Sequence, residues 1–190
     1  MNDNRAPDKT GEELYRLYLD GDSDAFEALV RLYEHDFSLF IVGIVHNLHE
    51  AKHIVIEAFA QLSIYGNFEG RSSLKTYLYT IGKNLAMRHM RMRSREAHIA
   101  FEDVLENVLG ESETPETFLQ REESKRLLYA AMRDLKSDHR AVLHLLYFED
   151  MSYLEAGRVM KKSERQIEGL ACRAKAALKR TLESGGFTYV

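Results

Sequence analysis

The stretch "MSYLEAGRVMKKSERQIEGLACRAKAALKRTL", residues 151–182, decides the fold. Ser152 is followed three residues on by Glu155, and Ser163 by Gln166 at the same spacing. Both pairs have the spacing of a capping box, in which a hydroxyl and an acid or amide satisfy the orphan amides of a helix start. The pattern therefore predicts a short helix from Tyr153 to Met160, a tight "KKS" connection, and a second helix beginning at Glu164. Two helices joined by a three- or four-residue turn make a helix-turn-helix.

On the second helix, Ile167, Leu170, Ala171, Ala174 and Leu178 share one face. Arg165, Glu168, Gly169, Cys172 and Ala176 fall opposite, with Gln166 and Arg173 at the side. Polar side chains mixed with very small ones let a helix sit deep in a DNA major groove. A hairpin that only packs has the same outline. The double cap and the basic content favour DNA.

Charge is segregated along the chain, although the formal net charge is only -4. Arg71 to Arg95 holds seven Lys or Arg and no acid, and Ala156 to Thr181 holds eight basic residues against two acids. Between them, Glu102 to Glu123 holds eight acids and one arginine. Either basic block alone reads as a solvated helical face. Two of them, each on a strongly periodic helix, read as a polyanion-binding surface.

The remaining periodicity is helical throughout, and no run alternates with period two long enough to argue a sheet. Residues before Thr10 read as frayed. "SDAFEALVRLYEHDFSLFIVGIVHN" (23–47) is a helix capped by Ser23 or Asp24, and "HEAKHIVIEAFAQLSIY" (49–65) buries Ile54, Val55, Ala58, Phe59 and Leu62. "GNFEGRSS" (66–73) is a loop. "SSLKTYLYTIGKNLAMRHMRMRSRE" (72–96) buries Leu74, Leu78, Ile81, Leu85 and Met90. "FEDVLENVLGESETPE" (101–116) reads as an acidic linker, followed by helices in 117–135 and 137–150. The expectation is an all-α chain of two helical domains. With 45% hydrophobic residues there is enough apolar surface for one or two cores. One cysteine rules out an internal disulfide. No long apolar run or signal segment is visible, so membrane insertion is not expected and the location is read as cytoplasmic.

The region "SYLEAGRVMKKSERQIEGLACRAKAAL" resembles region 4 of the extracytoplasmic-function (ECF) sigma factors, promoter-specificity subunits of bacterial RNA polymerase. Ser152, Tyr153, Glu155, Ser163, Arg173, Ala174, Lys175 and Leu178 match its pattern, and "LKSDHRAVLHLLYFED" resembles the helix before it. "GDSDAFEALVRLYEHDF" and "FEGRSSLKTYLYTIGKNLAMRHMRMRSR" resemble region 2, matching among others at Phe26, Phe68, Gly70, Ser73, Thr76, Tyr79, Asn84 and Ala86. The resemblance implies a region 2-like domain over 10–96, a linker over 97–120, and a region 4-like helix-turn-helix domain over 121–184. It implies no enzyme activity, no cofactor and no metal.

By the same resemblance, partners are promoter DNA and RNA polymerase core (β′ clamp and β flap), with an anti-sigma factor as a further candidate. Arg71, Lys75, Tyr77, Asn84, Arg88 and Arg91 are expected at a melted minus-ten element. There an aromatic face stacks an extruded base and cations hold phosphates. Ser163, Arg165, Gln166, Glu168, Gly169, Cys172 and Arg173 are expected at a minus-thirty-five element. The helix "EAKHIVIE" (50–57) is expected to meet core through Glu50, Lys52, His53, Val55 and Glu57. Lys52 and His53 stand where the family has acids, Ile56 where it has Gln, and Tyr77 where it has Trp. The alternative to a sigma factor is thus a sigma-like DNA-binding regulator, or an interaction module, that no longer engages core.

His46, His49, His53 and Glu57 lie near metal-ligand spacing. "HNLHE" reads as a helix boundary that separates His46 and His49 from the rest, and no third rigid ligand is in sight, so solvated histidines are the expectation. Cys172 reads as a small groove-side residue rather than a redox sensor. No Gly-rich phosphate loop or nucleophile triad stands out.

Overall fold

The computed structural model describes residues 9–65, 68–93 and 131–184, and no strand occurs among them. Seven helices are described within those limits: α1 (Gly11–Leu19), α2 (Ser23–Val45), α3 (Leu48–Tyr65), α4 (Leu74–Arg93), α5 (Ser137–Tyr147), α6 (Tyr153–Met160) and α7 (Glu164–Ser184). The frayed start, the acidic linker and most of the helix expected in 117–135 fall outside the described residues; 131–133 are helical.

Local chemistry explains most helix ends. Ser152 and Glu155 form the predicted reciprocal box at α6, with Ser152 N donating to Glu155 Oε2 at 2.9 Å. Ser163 and Gln166 do the same at α7, with Ser163 N donating to Gln166 Oε1 at 2.8 Å. The start of α2 corrects the expected cap. Asp22, not Ser23 or Asp24, holds it, its Oδ1 accepting from the Asp24 and Ala25 amides at 3.0 and 3.2 Å. The sequence reading had no α1, although Thr10 and Glu13 form a third capping box at its start.

Helices α1–α4 form one bundle. Phe37, Phe40 and Ile41 of α2 pack against Tyr79 and Leu78 of α4 and against the buried face of α3. Gly82 permits the close approach of α4, because a Cβ there would meet the Phe37 ring at 2.3 Å. Helices α5–α7 form the second unit around Val142, Leu145, Val159, Ile167 and Ala174. Its turn is tight: Lys161 takes φ 54, Lys162 N donates to the Gly157 carbonyl at 2.9 Å, and a Cβ on Gly157 would meet the Lys162 carbonyl oxygen at 2.6 Å. The two units are packed together, α5 against α2 and α6 against α4.

Candidate nucleic-acid interface

The outward face of α7 is as the pattern requires. Ile167, Leu170, Ala171 and Ala174 are buried, and Arg165, Gln166, Glu168, Cys172 and Arg173 are exposed. Ser163, Arg165, Gln166, Gly169 and Arg173 line one open concavity. Gly169 keeps its floor low: the nearest group to a Cβ there would be the Arg173 guanidinium, at 3.4 Å. The N-terminal turn of a helix already favours anions through its orphan amides. A shallow, cationic, small-residue floor beside that turn can receive a duplex backbone and bring side chains to base edges. Farther along, Lys175 Nζ lies 6.0 Å from the Tyr147 ring, and its hydrogen bond to the Tyr147 hydroxyl raises the ammonium pKa.

On α4 the expected minus-ten set divides. At 100° per residue, Tyr77, Asn84, Arg88 and Arg91 fall on one side of the helix and Lys75 on the other. Asn84, Arg88 and Arg91 are exposed, and Arg88 reaches Glu57 of α3 at 2.8 Å. The Tyr77 ring is half-buried against Phe68 at 5.6 Å, and Phe68 meets Tyr15 edge-on at 5.9 Å. Arg71 sits in the preceding loop beside Glu69 at 2.6 Å. Lys75 turns away from all of them, into the second unit, where its Nζ lies 2.7 Å from Glu149 Oε2.

On α3, Lys52, His53 and Glu57 are exposed, while Glu50 is half-covered and meets His89 at 3.1 Å. Val55 is a core residue, 4% exposed, and reaches the surface only as the floor of a groove between α2 and α3. Apolar exposure is instead at Ile56 (66%) and Leu32 (49%). His49 and His53 do share a face, with Nε2 atoms 3.4 Å apart, because α3 begins at Leu48 and carries both. His46 is separated from them as α2's C-cap. Among the described residues no group of three or more His, Cys, Asp or Glu is placed to hold a metal ion.

No family model matches the chain. Individual relatives do. The chain is 32% identical over 171 residues to an RNA polymerase sigma-H factor of Pseudomonas aeruginosa, a match covering 86% of this chain and 89% of that one. The chain belongs to the ECF RNA polymerase sigma factors. The ECF sigma factor SigX of Bacillus subtilis is 26% identical, covering 84% of each chain, and the sigma-E factor of Escherichia coli is 25% identical over 89% of this chain and 92% of its own. Two solved structures share the fold. CnrH, in complex with the cytosolic domain of CnrY, gives a TM-score of 0.61 at 20% identity, covering 90% of this chain and 96% of its own. The sigma factor RpoE of Bartonella quintana, in complex with the anti-sigma factor NepR, gives 0.60 at 21%, covering 83% of this chain and 96% of its own.

Three charged residues of this sigma factor, Glu155, Glu149 and Arg140, link its two units, a role that the sequence pattern does not announce even for Glu155, legible only as a cap. The Glu155 carboxylate, besides capping α6, accepts from Ser73 Oγ at 3.3 Å and Thr76 Oγ1 at 3.4 Å on α4's first turn. Glu149 is 1% exposed in its side chain and accepts from His144 Nε2 at 2.9 Å. Arg140 is buried, donating to the Arg133 and Leu135 carbonyls and to His46 Nε2 at 2.8, 3.1 and 3.2 Å. The one available signal was "YFED", an acid ending an apolar helix.

Proposed function

We propose that this sigma factor binds RNA polymerase core and directs promoter-specific initiation through two DNA surfaces, as a cytoplasmic protein open to control by an anti-sigma factor. The capped, cationic, small-residue face of α7 is the single observation that carries this reading. It suits a duplex minus-thirty-five element, with Arg165, Gln166 and Glu168 toward base edges and Arg173 toward phosphate. The Tyr77–Asn84–Arg88–Arg91 side of α4, with Arg71 in the loop beside it, suits a single-stranded minus-ten element, with Asn84 bonding an extruded base. Residues 10–96 and 121–184 would act as separate binding domains joined by 97–120.

The groove between α2 and α3, lined by Arg31, Glu34, Lys52 and Ile56, is the proposed core-docking surface, while Glu57 turns to the α4 side of α3. Asn84→Ala removes only an exposed amide, so the bundle should keep its stability. With core and a promoter selected in vitro, that variant is expected to lower open-complex formation at least tenfold, read by permanganate reactivity of unpaired thymines. Full melting by the variant overturns the minus-ten assignment. Failure of the wild-type chain to retain core in a pull-down favours the regulator reading, for which Lys52 and His53 are the motivating residues.

A further inference from the structure

The start of α3 reads His49, Glu50, Ala51, Lys52, His53, with two imidazoles one helical turn apart at the spacing of zinc-binding helices. A helix boundary within "HNLHE" would have kept them apart. Instead α3 opens at Leu48, with Asn47 Oδ1 accepting from the Glu50 amide at 3.0 Å, and carries both histidines on its outer crest. Both rings are exposed, and their centroids lie 4.5 Å apart with the planes at 66°. The two Nε2 atoms face one another at 3.4 Å.

That separation is long for a direct hydrogen bond, since nitrogen donors prefer roughly 2.7–3.2 Å to their acceptors. It does match the bite of a tetrahedral ion. Zinc sits about 2.0–2.1 Å from an imidazole nitrogen, and two such bonds at the tetrahedral angle hold their nitrogens about 3.3–3.4 Å apart.

The neighbouring groups set the class of ion and what it can do. Neutral imidazoles suit zinc, nickel and copper, whereas magnesium and calcium take oxygen ligands. Glu50, placed where a zinc hydrolase has its general base, turns to His89 of α4 at 3.1 Å. Glu57, one turn beyond His53, accepts from Arg88 at 2.8 Å and from Gln61 at 3.3 Å. Neither carboxylate completes a three-residue ligand set among the described residues, so water fills the remaining positions. Metal-bound imidazoles are commonly locked by a carboxylate or carbonyl on the second ring nitrogen. Among the described residues neither ring has such a partner. Two unlocked imidazoles capped by solvent hold an ion reversibly, unlike the closed four-ligand set of a structural zinc site.

We infer that His49 and His53 form a labile binding site for a divalent transition-metal ion (zinc, nickel or copper) on the exposed crest of α3. The ion clips the first turn of the helix to the second. It also puts a dication beside Lys52, which lines the groove proposed to dock core. Binding of the ion stands whether or not that groove is the docking surface.

Isothermal titration of the full, metal-free chain with Zn2+, Ni2+ and Cu2+ tests the site. One saturable equivalent is expected, tightest for copper, with none for Mg2+. His49→Gln and His53→Gln change exposed side chains, so circular dichroism should show both folded. Each is expected to weaken the equivalent at least tenfold. Cys172→Ser and His139→Gln should leave it in place; they remove the exposed thiol and a histidine of the second unit, the competing donors. Excess ion should raise the wild-type thermal midpoint, EDTA should reverse the rise, and neither His49→Gln nor His53→Gln should show it. Binding that survives both histidine substitutions, that disappears with Cys172→Ser, or that Mg2+ matches overturns the site. So does the absence of any saturable equivalent.

Discussion

At the residue scale the informative groups are those whose charge is set by the packed units. Burial alone would raise the Glu149 carboxyl, but the hydrogen bond from His144 and the Lys75 ammonium beside it outweigh it and hold the pKa at about 2. His46 goes down to about 4, first through burial and then through Arg140, whose donated hydrogen bond needs a neutral imidazole. Both groups bind protons more readily in the unfolded chain, so each makes stability rise with pH inside its own window. For His46 the loss begins as pH falls below 6.5 and is complete near 4; for Glu149 it runs from about 4.5 to about 2. The thermal midpoint should therefore decline in two steps on acidification. His46→Asn, which tolerates the left-handed φ of 58 at this cap, should erase the first step and keep the second. The step is on the order of 1–2 kcal/mol after allowance for half-burial. An unchanged first step in scanning calorimetry would assign it to another group.

At the element scale, α6 and α7 were legible to the residue, starting at Tyr153 and Glu164 as the caps require, because capping is chemistry between neighbours three apart. The cap of α2 was missed by one residue because Asp22, Ser23 and Asp24 are all good caps and only backbone geometry chooses among them. Lys75 was misplaced for a different reason. A basic block says that cations are present, not which side of the helix a distant unit will cover, and Glu149 is 74 positions away. On α7 the residues invite a split by role. Glu168 repels phosphates unless it accepts from a cytosine amine, so Glu168→Ala should relax choice at one base pair by about 1–3 kcal/mol while nonspecific affinity holds or rises. Arg173→Ala should weaken binding to all sequences and reduce the salt slope by about 0.9. A binding-site selection and a salt titration separate the two; parental preference and slope in both variants would remove α7 from the groove.

At the scale of the whole molecule, the two-unit helical plan was readable because helical periodicity and segregated charge are both written locally, whereas the closed arrangement of the units was not. Lys52 and His53 lie exposed on α3 and take part in none of the contacts between the units. If the groove beside Ile56 docks core where acids are usual in the family, reversing both charges removes a mismatch. Lys52→Glu with His53→Asp is then expected to tighten core binding by about 1–2 kcal/mol, or five- to thirtyfold. The gain should shrink in high salt, since the groups are on a wet rim. Titration of the wild type and the double variant against core by anisotropy, at low and high salt, reads the gain, and weaker or unchanged binding in the double variant would mean that α3 docks by a different face.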